Sequence, residues 1–152
     1  MTKLIPGKKA PAINAVDQNG EKITLAQFKG KKVILYFYPA DDTPTCTKEA
    51  CNYRDNFSML EKKGYIVIGV SMDPPKKHQK FISKYDLPFP LIADEDRKVI
   101  DAYDVWHLKK FMGREFMGIV RTTFLIDEKG MIEKVITKVD SANATEQILT
   151  AE

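Results

Sequence analysis

The chain has 152 residues, of which 43% are hydrophobic and 30% charged. That supports one folded domain with a sizeable core and excludes a disordered chain. A formal charge of +3 with dispersed lysines excludes a dedicated nucleic-acid binder, and Lys76-Lys77-His78-Gln79-Lys80 reads as a solvated helix face.

Pro6 to Asn19 reads as extended, with Asp17-Gln18-Asn19-Gly20 as a hairpin turn before Lys22-Ile23-Thr24-Leu25. The run 33–38 (Val33-Ile34-Leu35-Tyr36-Phe37-Tyr38) is apolar on both faces and so reads as a central strand. Pro44 to Lys63 reads as one helix, with Thr43 as N-cap, Pro44 at the first helical position and Gly64 as terminator. Phe57, Leu60 and, one turn back, Tyr53 share a face of it.

Tyr65 to Ser71 is a second buried strand, Pro75 to Tyr85 a second helix, Leu91-Ile92-Ala93 a short strand, and Glu95 to Tyr103 a further helix. Val105 to Gly118 carries no clear period. Arg121 to Asp127 is a third strong strand, turned at Glu128-Lys129-Gly130 into Met131 to Thr137. Ala142 to Thr150 is a terminal helix with Ser141 as its cap. Strand–helix–strand, then an antiparallel pair and a last helix, is the order of a thioredoxin-like α/β domain. The expectation is one domain over 1–152: a central mixed sheet flanked by helices, with an N-terminal β-hairpin extension.

Both cysteines lie in the segment Pro39-Ala40-Asp41-Asp42-Thr43-Pro44-Thr45-Cys46-Thr47-Lys48-Glu49-Ala50-Cys51. Cys46 falls where a strand hands over to a helix. There the free N–H groups and the macrodipole favour a thiolate. On one regular helix Cys46 and Cys51 are separated by a rise of about 7.5 Å and point roughly 140° apart. A disulfide needs Cα atoms about 4.4–6.8 Å apart. The two thiols therefore join only if about a turn of helix unwinds. No apolar stretch reaches the length of a membrane span, and Met1 to Gly7 lacks the apolar core of a secretory signal. A cytoplasmic chain is expected, and there a transient, catalytic disulfide is commoner than a structural one.

Other readings of the same residues stand beside this one. Free cysteine is often a core residue, which suits Cys51 better than the polar surroundings of Cys46. A structural zinc site wants four donors, and His78 and His107 are far from the cysteines in sequence; both read as structural or surface residues. By local logic Thr43 is a cap, and a cap uses the oxygen that catalysis would need. Alone, Arg121 is a strand-end ion-pair partner. Glu49 and Arg54 either order the site or face solvent. Trp106, Phe111 and Phe116 either pack a loop or form an apolar collar suited to alkyl hydroperoxides.

The segment Thr43 to Cys51 closely resembles the active site of the peroxiredoxins, and most of all the bacterioferritin comigratory protein or peroxiredoxin Q group. The resemblance extends to Tyr36-Phe37-Tyr38-Pro39, Asn52-Tyr53-Arg54-Asp55, Leu91-Ile92-Ala93-Asp94-Glu95, Phe111-Met112-Gly113-Arg114 and Gly118 to Asp127. It implies a monomeric thiol peroxidase, free of cofactor and metal, that reduces hydrogen peroxide and organic hydroperoxides. Cys46 would be the peroxidatic thiolate and become a sulfenic acid. Arg121 would sit beside it and hydrogen-bond the peroxide. Thr43 would offer its hydroxyl, and Pro39 would shield the sulfur from water. Cys51 would resolve the sulfenic acid as an intramolecular disulfide, which a thioredoxin-type reductant would reopen. Thr45 departs from the pattern: the group usually has Gly there, which would make the first turn looser. Two rivals remain at this stage. One is a thiol–disulfide oxidoreductase, disfavoured by the lack of Cys-x-x-Cys. The other is a redox-sensing binding module.

Overall fold

The computed structural model describes residues 1–150. In chain order the elements are β1 (Asn14–Val16), β2 (Lys22–Thr24), β3 (Lys32–Phe37), α1 (Pro44–Asp55), α2 (Phe57–Lys62), β4 (Tyr65–Ser71) and α3 (Pro75–Tyr85). They continue with β5 (Leu91–Ala93), α4 (Lys98–Ala102), β6 (Trp106–Phe111), β7 (Arg114–Ile119), β8 (Thr122–Ile126), β9 (Ile132–Ile136) and α5 (Ala144–Thr150).

A five-stranded sheet of order β5-β4-β3-β8-β9 forms the centre. β3 pairs parallel with β4, and β4 with β5; β8 runs antiparallel to both β3 and β9. The period-two alternation of β3 sorts its side chains between two cores. Val33, Leu35 and Phe37 face a cluster with Val99, Ile100 and Tyr103 of the α4 region and with Ile13 and Ile23 of the N-terminal segment. Ile34, Tyr36 and Tyr38 face the other cluster, with Cys46, Ala50 and Tyr53 of α1, Phe81 of α3 and Ile148 of α5. Both faces are covered, which is why the strand reads as a continuous apolar run. No helix among the described residues is long and apolar enough to cross a membrane.

The expected mixed sheet, its flanking helices and the N-terminal hairpin β1–β2 are all present. Four details differ from the sequence reading. The helix expected over Pro44 to Lys63 is kinked at Asn56 (φ −107°, ψ 9°). There the Asn56 side-chain amide and its own backbone N–H both donate to the Asn52 carbonyl, at 2.8 and 3.2 Å. Such local competition of an Asn side chain with the backbone interrupts helices.

The helix expected from Glu95 begins only at Lys98, because Asp94 accepts from the backbone N–H groups of Val99 and Ile100 at 3.1 and 2.7 Å and Arg97 sits at φ 61°. The stretch 105–118 is mostly a hairpin, β6–β7, turned by Met112 and Gly113 with φ of 50° and 76°. That is the sign pattern of a type I′ turn. Finally, Ser141 does not cap the last helix. It opens a 3-10 turn (Ser141–Asn143), and the N–H of Thr145 is taken by Asn52 Oδ1 from α1, at 2.8 Å.

Gly69 of β4 lies opposite Tyr36 of β3. A Cβ there would stand 2.7 Å from Leu91 Cδ2 and 2.9 Å from Tyr36 Cζ. The Leu91 tip can move, but the Tyr36 ring is pinned against Tyr53, Tyr38 and Phe89. Gly69→Ala is therefore expected to lose about 1–3 kcal/mol of stability by overpacking. Urea unfolding should show a lower midpoint at unchanged slope; an unchanged midpoint would refute the close packing.

Candidate active site

The site is built where β3 ends and α1 begins. Thr43 is extended (φ −92°, ψ 155°), Pro44 occupies the first turn, and the first helical bond runs from Thr47 N–H to the Thr43 carbonyl at 2.8 Å. The N–H groups of Thr45 and Cys46 lie in the turn for which a helix supplies no acceptor. Thr43 holds the cap position without using its side chain as a cap. Its hydroxyl donates instead to the Ala40 carbonyl at 3.1 Å, so its lone pairs are not spent on the helix. The competition between cap and catalytic hydroxyl foreseen from the sequence is absent.

Cys46 is buried, at 1% exposure. Arg121, which immediately precedes β8, donates from Nη2 to Cys46 Sγ at 3.1 Å and from Nη1 to Glu49 Oε1 at 2.8 Å. A guanidinium presents these donors in a rigid fork, so one side chain engages both groups at once. Glu49 is fully buried and receives the Tyr53 hydroxyl on its other oxygen, at 3.4 Å. Cys46, Glu49 and Tyr53 follow helical spacing on the inner face of α1. The alternative of a solvent-facing Glu49 is thereby wrong. The spacing from Cys46 to Glu49 and Tyr53 was the signal that could have decided between the two readings, against the rule that a charged residue rarely lines a core.

Burial dominates the electrostatics. It pushes the Glu49 carboxyl up to about 7, against the pull of Arg121 and the Tyr53 hydroxyl. Burial, reinforced by Glu49, also raises Tyr36 and Tyr53. The Tyr36 hydroxyl is buried with no hydrogen-bond partner among the described residues. Lys109 of β6 donates to the Ile119 carbonyl at 2.9 Å, and its ammonium is pushed down by burial and by Arg121 while Cys46 opposes this. The β6–β7 hairpin thus brings a second cation into the field of the sulfur.

Cys51 is half-buried, is not bonded to Cys46, and has its thiol raised by burial. Pro39 is half-buried at the start of the loop that precedes Thr43. Of the expected site residues, then, Cys46 and Arg121 touch, Thr43 and Pro39 belong to the same strand–helix connection, and Cys51 stands apart on α1. Arg54 donates to the Tyr85 carbonyl at 2.8 Å and lies within the electrostatic reach of Cys51. The aromatic collar takes a different form: Trp106 stacks on Arg97 at 4.5 Å, while Phe111 and Phe116 are exposed on the hairpin.

Asp41, Asp73 and His78 also bring ligand-type atoms within 4.8 Å of one another. Those atoms already bond one another and their neighbours, with His78 Nδ1 2.6 Å from Asp41 Oδ2 and Asp73 Oδ2 accepting from the Asp41 N–H at 2.7 Å. This is a hydrogen-bond network in form, not an open donor set.

Comparison with known proteins identifies a family and a fold. The model of the AhpC/TSA family matches residues 6–135. Peroxiredoxin Bcp of Bacillus subtilis is 47% identical over 133 residues, spanning 88% of this chain and 85% of that one. The peroxiredoxin Q structure of Xanthomonas campestris superposes with a TM-score of 0.88 at 32% identity, covering 96% of this chain and 95% of that one. A structure of the bacterioferritin comigratory protein of Xanthomonas campestris, solved in a trapped intermediate/ligand complex bearing on its alkyl peroxide reduction, gives 0.88 at 31% identity, over 97% and 96%.

A testable pH dependence follows from Glu49. Between its ordinary value of 4.5 and about 7 the unfolded chain has lost this proton while the folded chain keeps it. The unfolded state then binds fewer protons, so stability falls as pH rises through that window. Below it both states are protonated and the effect vanishes. Glu49→Gln lacks the titration, so it should gain on the wild type between pH 4.5 and 7, by on the order of 1–3 kcal/mol. Urea unfolding of both proteins across that range measures it; a stability difference that stays flat with pH would contradict the burial argument.

Proposed function

The chain belongs to the AhpC/TSA family and is a thiol peroxidase of the peroxiredoxin Q group, and on that premise we propose that Cys46 is its peroxidatic thiol and Cys51 its resolving thiol. The Cys46 thiolate attacks the terminal oxygen of a hydroperoxide. The S–O bond forms as the O–O bond breaks, and the departing alkoxide or hydroxide takes up a proton as the alcohol or water. Sulfur is oxidised to sulfenic acid and the peroxide is reduced. The observation that carries this assignment is the 3.1 Å hydrogen bond from Arg121 to the Cys46 sulfur in the first turn of α1. A charge-assisted donor there supports the thiolate and then the negative charge on the leaving oxygen. Thr43 offers its hydroxyl oxygen to the same peroxide, and Pro39 limits water at the sulfur.

Cys51 then attacks the Cys46 sulfenic sulfur, expelling water and forming a disulfide. That step needs α1 to unwind, because the rise between these positions is about 7.5 Å. A thioredoxin-type dithiol restores both thiols by exchange and is itself oxidised. Alkyl hydroperoxides belong to the substrate range on the analogy of the Xanthomonas campestris protein. The same reading takes the protein as a single domain over 1–152, acting as a cytoplasmic monomer without cofactor or metal.

The test is intact mass and free-thiol count after one equivalent of hydrogen peroxide. Wild type should lose both thiols and the mass of two hydrogens. Cys51→Ser should hold a sulfenic acid on Cys46, and Cys46→Ser should consume no peroxide. Full turnover by Cys46→Ser, or survival of both thiols in the wild type, would refute the assignment.

A further inference from the structure

The loop that delivers Thr43 and Cys46 is held from one side by α3. Residues 77, 78, 81, 84 and 85 share a face of that helix. His78 Nδ1 lies 2.6 Å from Asp41 Oδ2, and His78 Nε2 lies 2.9 Å from the Ile92 carbonyl. Lys77 donates to Asp73 at 3.0 Å, and Asp73 in turn accepts the Asp41 N–H and the Ser71 hydroxyl. Phe81 packs near the Tyr38 ring, whose hydroxyl donates to Asp41 Oδ1. Lys84 and the Tyr85 hydroxyl both donate to Asp42 at 2.8 Å. Asp42 has φ 57°, a conformation that a non-glycine residue keeps only where its surroundings enforce it.

The inner part of this grip is dry. His78 and Asp41 are 0% and 3% exposed. The Ile92 carbonyl can only accept, so Nε2 carries a hydrogen, and a further proton lies between Nδ1 and Asp41 Oδ2. Every polar atom of both side chains is thus engaged. A buried carboxyl and a buried imidazole matched so completely are costly to unpair. Nothing in the peroxide chemistry uses them, and neither touches the sulfur. Their common product is the position of Asp41, from which Asp42, Thr43 and the first turn of α1 follow directly.

We propose that His78 is a positioning residue for the peroxide step: through Asp41 it fixes the connection that aims Thr43 and the first turn of α1 at the oxygen being transferred. The inference rests on the peroxidatic role of Cys46. It predicts that loosening the pair hurts reaction with peroxide, which needs Thr43 and the helix N–H groups in register, more than reaction with an alkylating agent, which needs only the sulfur.

The experiment uses Cys51→Ser as parent, leaving one thiol to follow. His78→Asn keeps a donor at the Nδ1 position and so the bond to Asp41; His78→Gln keeps the bond to Ile92 and gives up Asp41. Stopped-flow oxidation by hydrogen peroxide and alkylation by iodoacetamide are measured on each. His78→Gln should lose roughly ten- to a hundred-fold in the peroxide rate, with alkylation changed less than about threefold, and His78→Asn should recover most of the loss. Asp41→Ala, which removes both carboxylate oxygens, should show the same split and decides the matter if His78→Gln does not fold. A peroxide rate in these variants within about twofold of the parent, or peroxide and alkylation rates falling together, would overturn the proposal. A parent that does not react with peroxide at all would instead overturn the assignment of Cys46, and this inference with it.

Discussion

One guanidinium ties the reactive end of the molecule together. Arg121 stands at the entry to β8 and reaches across to α1, where it serves Glu49 and Cys46 from adjacent nitrogens. A cation that is largely buried must be matched by negative charge or by acceptors. Glu49 supplies an acceptor on one side, but burial holds its carboxyl up at about 7. Near neutrality it is therefore not a permanent anion. To the extent that Glu49 keeps its proton, the full charge of Arg121 is directed at the sulfur. Removing Arg121 would leave the buried Glu49 carboxyl without its main hydrogen-bond donor and the sulfur without its cation. Arg121 thus couples the inner face of α1 to the surroundings of the Cys46 sulfur through one side chain.

That arrangement opposes the conformational change that the proposed disulfide would require. Joining Cys46 and Cys51 would mean opening α1 between them. Beyond Arg121, the helix is held at its far end by Asn52, which donates to the Ala142 carbonyl at 3.0 Å and accepts the Thr145 N–H of α5 at 2.8 Å. Arg54 fastens the same end to the last turn of α3. At the near end the α3 grip on Asp41 and Asp42 holds the entering loop. The weak ground lies between these anchors and just beyond them, at the Asn56 kink. Unwinding there would sacrifice the inner-face contacts of Ala50 and Tyr53, including the packing of the Tyr53 ring on Tyr36 of β3.

Much of this was legible in the sequence, and what was not has identifiable causes. Strands such as Tyr65–Ser71 and the helix Pro75–Tyr85 were readable to the residue, because each is a continuous apolar or helically periodic run bounded by Gly or Pro. The hairpin β6–β7 was not. Its Leu108, Phe111, Phe116 and Met117 are exposed, so no face is consistently apolar and no period emerges. The α4 start was displaced by Asp94, whose side chain captures N–H groups five and six residues later. At the site, Thr43, Cys46 and Cys51 were conspicuous through local spacing. Arg121 was reachable only through family resemblance, since 75 residues separate it from the cysteine it bonds. The sequence reading placed His78 on a solvated helix face, whereas it is fully buried against Asp41, because that contact spans 37 residues and is invisible to any local pattern.

Thr45 shows how a local choice enters this balance. Glycine at that position would leave the first turn entropically loose, by roughly 0.5–1 kcal/mol relative to alanine. Threonine is β-branched and stiffer. The turn it occupies is regular, closed by the Thr47-to-Thr43 bond at 2.8 Å. Stiffness here favours the arrangement in which Cys46 meets Arg121 over the opened one that the proposed cycle would require. On the proposed cycle the same residue would keep the site assembled for its encounter with peroxide and oppose the opening that brings Cys51 to Cys46, while the anchors of α1 would limit how far that opening runs.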